Sequence, residues 1–475
     1  MTLLFWKPIL FQLLLTGGGI LVFGAGAAAA GNASRRLLFI LTTVTILSAT
    51  LAALLINGGT APFSGMLDTG LYARFFNALF ALTALTALFF SHRHAGLQPV
   101  AGDEFYGLLI CAVLGMSLVA GATHWLIFFL GFELLSLAFY VLIAFCRNEP
   151  GYEAALKYLV MGMVASGFLV FGIAMLYSAT GSLQMPVSLG APGKSGGSPA
   201  TLLAIGLILT AVGFKVSLVP FHLWTPDVYQ GAPTPVTAFL TTGSKIAVFA
   251  GLLRILLLTS DWLWAHCIPV LWILAAATML AGNIAALTQT RLKRLLAYSS
   301  IAQMGYAAMG LLAIKSDRGL AVIFYMTAYA LMDMGAFGAI ATCCTSKDAD
   351  MDDLNQYQGF GYSHPWQGAI LTGCLLSLAG LPPTAGFMGK FFIFKDAFQA
   401  QYTGLALLGI VAAILSLFVY LKVIVTLYMR SSEKTSISGF GVAARCAFAV
   451  IVFGVLWLGL FPSFWLTAIS RMTAL

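Results

Sequence analysis

Residues 213–236, GFKVSLVPFHLWTPDVYQGAPTPV, belong to an apolar run that prolines and a lysine interrupt. An apolar run of about 20 residues or more can cross a lipid bilayer as a helix. Pro220 lacks a backbone N–H and its ring clashes with the preceding helical turn, so a helix breaks there. In lipid, a broken backbone is tolerated only where protein or a water-filled cavity surrounds it. We therefore predict a broken membrane helix inside a helical bundle, with Lys215 beside the break.

A second stretch, SLAGLPPTAGFMGKFF at residues 377–392, repeats this design and places Lys390 just beyond its prolines. Two broken segments at matching places are typical of transporters built from inverted repeats around an ion site at the membrane midplane. Along the chain, the breaks fall in the seventh and twelfth apolar runs. The spacing predicts two inverted five-helix repeats, helices 4–8 and 9–13, with broken helices 7 and 12.

The chain as a whole is too apolar for a water-soluble protein. Of its 475 residues, 60% are hydrophobic and 8% are charged, whereas a soluble domain carries roughly 25% charged residues. Runs long enough to span a bilayer recur about fourteen times, which predicts an all-α polytopic membrane protein. The runs lie near 8–29, 37–57, 73–91, 105–122, 125–146, 154–178, 201–230, 234–258, 264–287, 292–314, 319–344, 367–399, 403–429 and 444–470.

The net charge of +8 comes from 24 basic and 16 acidic residues. Most basic residues lie in short loops, where they set helix orientation and contact anionic lipid, so nucleic acid is not an expected partner. Loops after odd-numbered helices hold more Lys and Arg than the others, which places them in the cytoplasm and both termini outside. The sequence predicts a chain organised in four segments. Residues 1–100 form helices 1–3, 101–260 the first repeat, 261–430 the second repeat and 431–475 helix 14.

Several charged residues lie inside the apolar runs, where each costs about 2.5–3.5 kcal/mol and is a functional candidate by default. The basic ones are Lys157, Lys215, Lys245, Arg254, Lys390 and Lys422, and the acidic ones are Glu133 and Asp333. Glu133 has apolar neighbours on both sides, so its expected partner is a lysine on a neighbouring helix. The alternative is a static ion pair that locks two helices together, but a buried pair is a weak stabiliser.

Lysine suits proton transfer because its charge depends on its surroundings. Its unperturbed pKa is about 10.4, burial lowers that pKa by several units, and a nearby carboxylate raises it again. Arginine, in contrast, stays protonated. A proton path is therefore predicted from the lysines beside the matched breaks, the lysine of the eighth helix and the buried glutamate, which are Lys215, Lys390, Lys245 and Glu133.

Other residues have open interpretations. Lys157 lies a few residues into its helix and either joins the path or extends its ammonium group to the surface. His222, beside the first break, either relays protons or satisfies freed backbone groups. Asp333 either pairs with a lysine or serves in the second half of the path. Arg254 and Lys422 are expected either to be structural or to extend their charged groups to the surface.

No cofactor or metal site is expected in this chain. Its 7 cysteines are scattered without a CxxC pair, which gives little support to iron–sulfur or zinc ligation. The aspartates of the loop 345–366 lack the spacing and the terminal Glu of an EF-hand. A GxGxxA pattern at 24–29 lies inside an apolar helix, without the strand and the acidic residue that a dinucleotide site needs.

The same residues carry a resemblance to a known family. FKVSLVPFHLWTPDVYQGAPTPV, followed by TTGSKIAVF, resembles the antiporter-like membrane subunits of complex I, the bacterial NADH-quinone oxidoreductase. Four further stretches agree, and the resemblance spans roughly residues 100–430. These stretches are DEFYGLLI at 103–110, LGFELLSL at 130–137, RLKRLLAYSSIAQMGY at 291–306 and SLAGLPPTAGFMGKF at 377–391.

The resemblance implies a subunit that moves protons through buried lysines while quinone is reduced elsewhere in the complex. By motif, it assigns to the path Glu133, Lys215, Lys245 and Lys390, with Lys157 in ALKYLV as a further lysine position. It implies a bacterial inner-membrane protein with both termini periplasmic, in contact with an adjacent antiporter-like subunit and small membrane subunits. NADH, FMN, iron–sulfur clusters and quinone are then bound by partner subunits.

Two residues depart from the family pattern: Asp333 stands at a position that looks uncharged in relatives, and Gln303 replaces a histidine of some relatives. Other functions are a subunit of a cation/proton antiporter, of a hydrogenase-type complex, or a structural spacer with static ion pairs. Sodium-dependent exchange without NADH would identify the antiporter. Failed assembly after replacement of Lys215 would identify the spacer.

Overall fold

The protein is helical throughout the part of the chain that the structure, a computed structural model, describes. The described residues are 6–28, 32–55, 65–97, 100, 102–190, 198–343, 351–429 and 441–473. Within these ranges no β-strand forms, and only isolated bridges link loops. The prediction of an all-α protein is confirmed.

Long helices make up most of the described chain, and we number them in chain order. They are α1 Leu10–Ala28, α2 Asn32–Leu55, α3 Leu71–Ser91, α4 Asp103–Gly121, α5 Trp125–Ile143, α6 Glu149–Thr180, α7 Pro199–Lys215, α8 Trp224–Gly231, α9 Thr234–Leu258, α10 Asp261–Thr288, α11 Leu292–Leu311, α12 Leu320–Ala341, α13 Pro365–Ala379, α14 Ala385–Gln399, α15 Thr403–Met429, α16 Val442–Leu460 and α17 Pro462–Thr473. Short helical turns lie at Lys7–Ile9, Met185–Gly190, Ile314–Asp317, Leu354–Tyr357 and Phe360–Ser363.

Among the described residues, 11 helices are long and apolar enough to cross a membrane: α1 to α6, α9, α10, α12, α15 and α16. The remaining predicted spans coincide with α7 and α8, with α11, and with α13 and α14. The first and last of these are interrupted helices. α11 is more polar, because it carries Lys293 and Arg294 in its first turn as well as serines, tyrosines and Gln303. The polytopic membrane fold is therefore confirmed, while the total of about fourteen spans and the inverted repeats stay predictions.

Both predicted helix breaks are present. α7 ends at Lys215 and α8 begins at Trp224, so the chain around Pro220 leaves the helix. α13 ends at Ala379 and α14 begins at Ala385. The last carbonyl groups of a half-helix have no intrahelical partner, so each break offers acceptors inside the bundle.

The last predicted helix, 444–470, is two helices in the structure. α16 ends at Leu460, Phe461 leaves the helical conformation, and α17 begins with Pro462. Proline cannot donate the hydrogen bond that would continue a helix, but it suits the first position of a new one. The prediction of one continuous helix here was wrong for this reason.

Helices α9 and α12 form the centre of the bundle. The apolar stretch of α9 is 100% buried and that of α12 is 94% buried, whereas only 28% of that of α6 is buried. A helix that is apolar all round is expected in such a position. Lys245 on α9 and Asp333 on α12 are therefore surrounded by protein and shielded from lipid.

Helices α10 and α11 approach each other closely through two glycines. A Cβ atom added to Gly282 would lie 2.6 Å from the backbone nitrogen of Ala302. A Cβ atom added to Gly305 would lie 2.6 Å from the backbone nitrogen of Met279. Small residues allow such close contact between membrane helices. The contact holds the polar helix α11 against the rest of the bundle.

Candidate proton path

Lys215, the last residue of α7, lies in a pocket of aromatic rings and is only 1% exposed. Its Nζ donates a hydrogen bond of 2.7 Å to Oγ of Ser136 on α5. The ammonium nitrogen is 4.8 Å from the ring centroid of Tyr158, 5.2 Å from that of Phe132 and 5.9 Å from that of Tyr140. The first break therefore places a buried ammonium group among a hydroxyl and ring faces.

Glu133 lies on the same helix as Ser136 and is half-buried. Its carboxylate accepts a hydrogen bond from Ser166 on α6. The ion pairs found among the described residues do not include Glu133. Glu133 and Lys215 are therefore each bonded to a serine, and a lysine partner for Glu133 on a neighbouring helix stays a prediction.

Lys245 begins a regular helical stretch directly after a π-helical turn, Leu240–Ser244, within α9. Such turns shift the register of a helix and are frequent at functional sites. The Lys245 Nζ donates to Oγ of Ser300 on α11 at 2.7 Å. The hydroxyl of Thr241, within the π-helical turn, lies 3.0 Å from the same Ser300 oxygen. The turn thus brings a lysine and a hydroxyl to one point on α11.

Asp333 is connected to Lys245 through two hydroxyl groups. The Ser300 oxygen lies 2.7 Å from the hydroxyl oxygen of Tyr329, and that hydroxyl donates to Oδ2 of Asp333 at 3.0 Å. Asp333 is fully buried, and its Oδ1 has no hydrogen-bond partner in the described structure. A continuous hydrogen-bonded chain therefore joins a buried ammonium group to a buried carboxylate.

Lys390 on α14 reaches back across the second break. Its Nζ donates to the carbonyl oxygens of Leu378 at 2.8 Å and Ala379 at 3.2 Å, the last residues of α13. These carbonyls lie at the negative end of the helix dipole, where a cation is favoured. The ammonium nitrogen also lies 4.8 Å from the ring centroid of Tyr306. The break thus creates the binding site for its own lysine.

Gln303 on α11 lies between Lys390 and the hydrogen-bonded chain that joins Lys245 to Asp333. Its Nε2 donates to the Leu378 carbonyl at 3.1 Å and to the Tyr420 hydroxyl at 2.9 Å. Tyr420 also contacts the hydroxyl of Ser299, the neighbour of Ser300. A glutamine amide does not titrate, so Gln303 can order this region but cannot store a proton.

Lys157 is separate from the row of buried lysines and lines a polar cavity of about 360 Å³. Its Nζ pairs with Asp227 on α8 at 2.8 Å and with Glu153 at 2.7 Å, and its side chain is 42% exposed. Asp227 also binds Arg294 on α11 at 2.7 Å. Lys157 therefore belongs to an ion-pair network at the cavity.

Three other candidates stand apart from the lysine row. His222 lies in the first break, half-buried, and its Nδ1 has no hydrogen-bond partner within the described residues. Arg254 pairs with Asp68 at 2.6 Å. Lys422 donates to backbone carbonyls at the end of α10. The last two contacts anchor loops and helix ends, in line with the structural roles expected for Arg254 and Lys422.

The acidic loop of the sequence is only partly described, because Asp348 and Asp350 lie outside the described residues. Asp352 accepts from the backbone N–H of Lys293 at 3.0 Å, and Asp353 accepts from that of Asn355 at 2.9 Å. These contacts hold the start of α11 and a helical turn. In the described part of the chain, no group of three or more His, Cys, Asp or Glu residues is placed to hold a metal ion.

Sequence comparison places these residues in a known family. The profile of the family described as "NADH:quinone oxidoreductase/Mrp antiporter, TM" matches residues 122–416. The chain belongs to this family. Similar relatives include NADH-quinone oxidoreductase subunit N of Geotalea uraniireducens, 46% identical over 398 residues, which are 82% of this chain and 83% of the relative. Subunit N 1 of Solidesulfovibrio magneticus is 45% identical over 408 residues, 84% of this chain and 86% of the relative.

Solved structures agree with the family assignment. A chain of respiratory complex I from Thermus thermophilus, solved with bound aureothin, is 34% identical with a TM-score of 0.83, over 96% of this chain and 98% of that chain. A chain of the Mrp complex from a Dietzia species has a TM-score of 0.83 at 21% identity, over 100% of this chain and 98% of that chain, and shares the fold. The family resemblance inferred from the sequence motifs is confirmed.

Several residues of the site were missed by sequence reasoning, although periodicity offered a signal for two of them. Ser136 follows Glu133 by three positions and Tyr329 precedes Asp333 by four, so each pair shares a helix face. Asp227 lies within the opening stretch but was not singled out. The residues missed in this way are Ser136, Asp227, Arg294, Ser300, Tyr329 and the tyrosines beside the lysines.

Proposed function

We propose that this chain is the proton-translocating membrane subunit of an NADH-quinone oxidoreductase, equivalent to the relatives named subunit N. The observation that carries this proposal is the hydrogen-bonded chain from Lys245 through Ser300 and Tyr329 to Asp333. Membership of the family supports it. The path also includes the broken-helix lysines Lys215 and Lys390.

The order of donors in the central chain allows proton transfer without large motion. Lys245 donates to Ser300, and Tyr329 donates to Asp333. The Ser300 hydroxyl is then free to donate its own proton to the Tyr329 oxygen, 2.7 Å away, and the Thr241 hydroxyl lies within hydrogen-bond distance of both oxygens. In a concerted shift, the ammonium loses a proton to Ser300, Ser300 passes its own proton to Tyr329, and Tyr329 protonates the carboxylate. The lysine ends as a neutral amine and the aspartate as a neutral acid, so the charge separation disappears.

The first half of the path responds to the charge of Glu133. Lys215 donates only to a neutral hydroxyl among the described residues, so its proton affinity depends on charges farther away. A negative Glu133 favours the protonated lysine, and a neutral Glu133 favours release. We expect redox chemistry in partner subunits to act on this half electrostatically.

Proton uptake is assigned to the cavity beside Lys157. Positively charged loops face the cytoplasm in most membrane proteins, and this cavity is lined by Arg291, Lys293 and Arg294. With this orientation both termini are periplasmic. Asp227 is the proposed acceptor, because it lines the cavity and pairs with both Lys157 and Arg294. His222, half-buried in the break between α7 and α8, stays a proposed relay.

The redox reaction itself is assigned to other subunits. NADH, FMN, iron–sulfur clusters and quinone are proposed to bind there rather than to this chain. Its proposed neighbours in the bacterial inner membrane are an adjacent antiporter-like subunit and small membrane subunits. The parts 1–100, 101–260, 261–430 and 431–475 remain the proposed domain organisation, with helices 4–8 and 9–13 as inverted repeats.

A cation/proton antiporter is the second candidate, because the family profile covers Mrp antiporters as well. The test is to tag the chain, solubilise native membranes gently and assay the purified particle for NADH-to-quinone activity. Activity that co-purifies with a large multi-subunit particle supports the proposal. Elution with antiporter or hydrogenase subunits, without NADH oxidation, would overturn it.

A further inference from the structure

Each of the three buried path lysines lies against the ring of a tyrosine. The ammonium nitrogen of Lys215 is 4.8 Å from the ring centroid of Tyr158, and that of Lys390 is 4.8 Å from the centroid of Tyr306. The ammonium nitrogen of Lys245 is 5.3 Å from the centroid of Tyr229. These distances are within the range of cation–π attraction, which extends to about 6 Å.

The hydrogen bonds of the same ammonium groups go to neutral oxygens. Lys215 and Lys245 donate to serine hydroxyls, and Lys390 donates to backbone carbonyls. Among the described residues, no carboxylate lies within ion-pair distance of any of the three lysines. The face of an aromatic ring carries a negative electrostatic potential. At each of the three sites, such a ring face therefore lies close to the ammonium group.

The rings are held rigidly by their own neighbours. All three tyrosines are 0% exposed. Tyr158 packs against Trp224, with ring centroids 4.6 Å apart, and Tyr306 packs edge-on against Phe394 at 6.3 Å. Within the described structure, the hydroxyl of Tyr158 has no hydrogen-bond partner. The ring face is thus the part of this side chain that contacts the path.

We propose that Tyr158, Tyr229 and Tyr306 are positioning residues whose ring faces hold the ammonium groups of the three path lysines. A ring stabilises the charged ammonium but has no net charge of its own. When the lysine releases its proton, the ring leaves no negative charge behind. A carboxylate partner would remain as an unpaired anion in the low-dielectric interior, which is strongly unfavourable. Each lysine can therefore gain or lose its proton while its side chain stays in the same position.

This inference rests on the proposed function, because it assigns a role to residues that surround the proposed path. The Lys390 site is best suited to a test. The hydrogen bond described at the Tyr306 hydroxyl, from Asn283, is long at 3.5 Å, so Tyr306→Phe should preserve the site. Tyr306→Leu removes the ring face while keeping an apolar side chain.

The experiment measures proton pumping by the whole purified complex in liposomes during NADH oxidation. Tyr306→Phe should pump like the unaltered complex, and Tyr306→Leu should pump about tenfold more slowly. Phe324→Leu is the matched control, since Phe324 is fully buried and packs edge-on against Phe392 at 5.2 Å. No lysine or arginine lies over its ring in the described part of the chain, so its pumping should be unchanged.

A fluorinated series separates ring electrostatics from ring shape. Phenylalanine with one, two or three ring fluorines is incorporated at position 306, which weakens the ring face stepwise at nearly constant shape. A stepwise decline in pumping supports the proposal. Unchanged pumping across the series would overturn it, whatever the leucine variant does.

Lys390→Ala in the same assay tests the proposed path itself. Normal pumping by this variant would overturn the proposed function. Lost pumping, together with unchanged pumping across the fluorinated series, would overturn only the role of the ring.

Discussion

Lys245 and Asp333 are joined by hydroxyl groups and make no direct contact, because Ser300 and Tyr329 stand between them. A hydroxyl can accept one proton while it gives up another, so this pair can exchange a proton over a distance. A direct ion pair would hold both charges together, and breaking it would leave unpaired buried charge. Proton transfer between Lys245 and Asp333 therefore depends on the hydroxyl groups of Ser300 and Tyr329.

Replacement of Tyr329 by phenylalanine should interrupt this exchange. Tyr329→Phe keeps the ring but removes the hydroxyl that joins Ser300 to Asp333, so we expect proton-coupled turnover to fall by about tenfold or more. Pumping by the reconstituted complex is the measurement. Tyr357→Phe is the matched control, because it removes a buried hydroxyl whose bond goes to the backbone oxygen of Met351. Equal pumping by both variants would contradict the relay.

Replacement of Lys215 or Glu133 by alanine should also lower proton-coupled turnover, by about tenfold or more, while the complex still assembles. Both side chains belong to the proposed path, and among the described residues each is hydrogen-bonded to a neutral serine, so no ion pair is lost with either one. Lys422→Ala is the control, because the described contacts of that lysine are with backbone carbonyls at the end of α10. Normal pumping in both path variants, with assembly intact, would rule the path out.

At the scale of helices, the second break depends on one backbone conformation. Gly380 has φ +89°, in the left-handed region, and ends α13 so that its last carbonyls face Lys390. A Cβ atom there would lie 3.1 Å from Cδ of Lys390. Glycine adopts this conformation without the penalty that other residues incur. The position of the Lys390 ammonium group therefore depends on how α13 ends at Gly380.

Gly380→Ala should destabilise the broken helix by about 1–2 kcal/mol, because alanine disfavours the left-handed region. It should also shift Lys390 and slow pumping. Gly373→Ala on the same helix is the control, since nothing lies within 4 Å of an added Cβ atom there. The melting temperature of the solubilised complex and its pumping rate are the measurements. A loss as large in the control variant would show that α13 tolerates no added methyl group.

At the scale of the molecule, the cavity near Lys157 joins three helices through one carboxylate. Asp227 on α8 holds Lys157 on α6 and Arg294 on α11. These ion pairs connect the two halves of the chain beside the first break. In the proposed function, this cavity is the point of proton entry, and the buried centre at Lys245 and Asp333 stays enclosed by protein.

Asp227→Asn should slow proton uptake and pumping by about threefold or more, because the cavity then loses the carboxylate that Lys157 and Arg294 share. Glu153→Gln is the matched control. Its carboxylate is 68% exposed, and such a surface pair contributes about 0.5 kcal/mol or less. Pumping should be compared in the same reconstituted complex. If both variants pump normally, uptake occurs elsewhere.

Hydropathy and proline placement correctly predicted the polytopic fold, both helix breaks and the lysines buried beside them. The same patterns failed at α16 and α17, where Pro462 divides a helix that was predicted as continuous. They also did not indicate that Lys215 and Glu133 would each be hydrogen-bonded to a serine of another helix. Hydropathy reports burial, but it does not report which side chains meet.

The sequence by itself determined that this chain crosses a membrane and that charged side chains lie in its interior, because charge in lipid is too unfavourable to be left unshielded. Only the tertiary structure decided which groups surround those charges. Lys215 meets Ser136 across 79 positions of the chain, and Lys245 meets Ser300 across 55. Such pairs arise from helix packing, which no periodicity within one helix encodes.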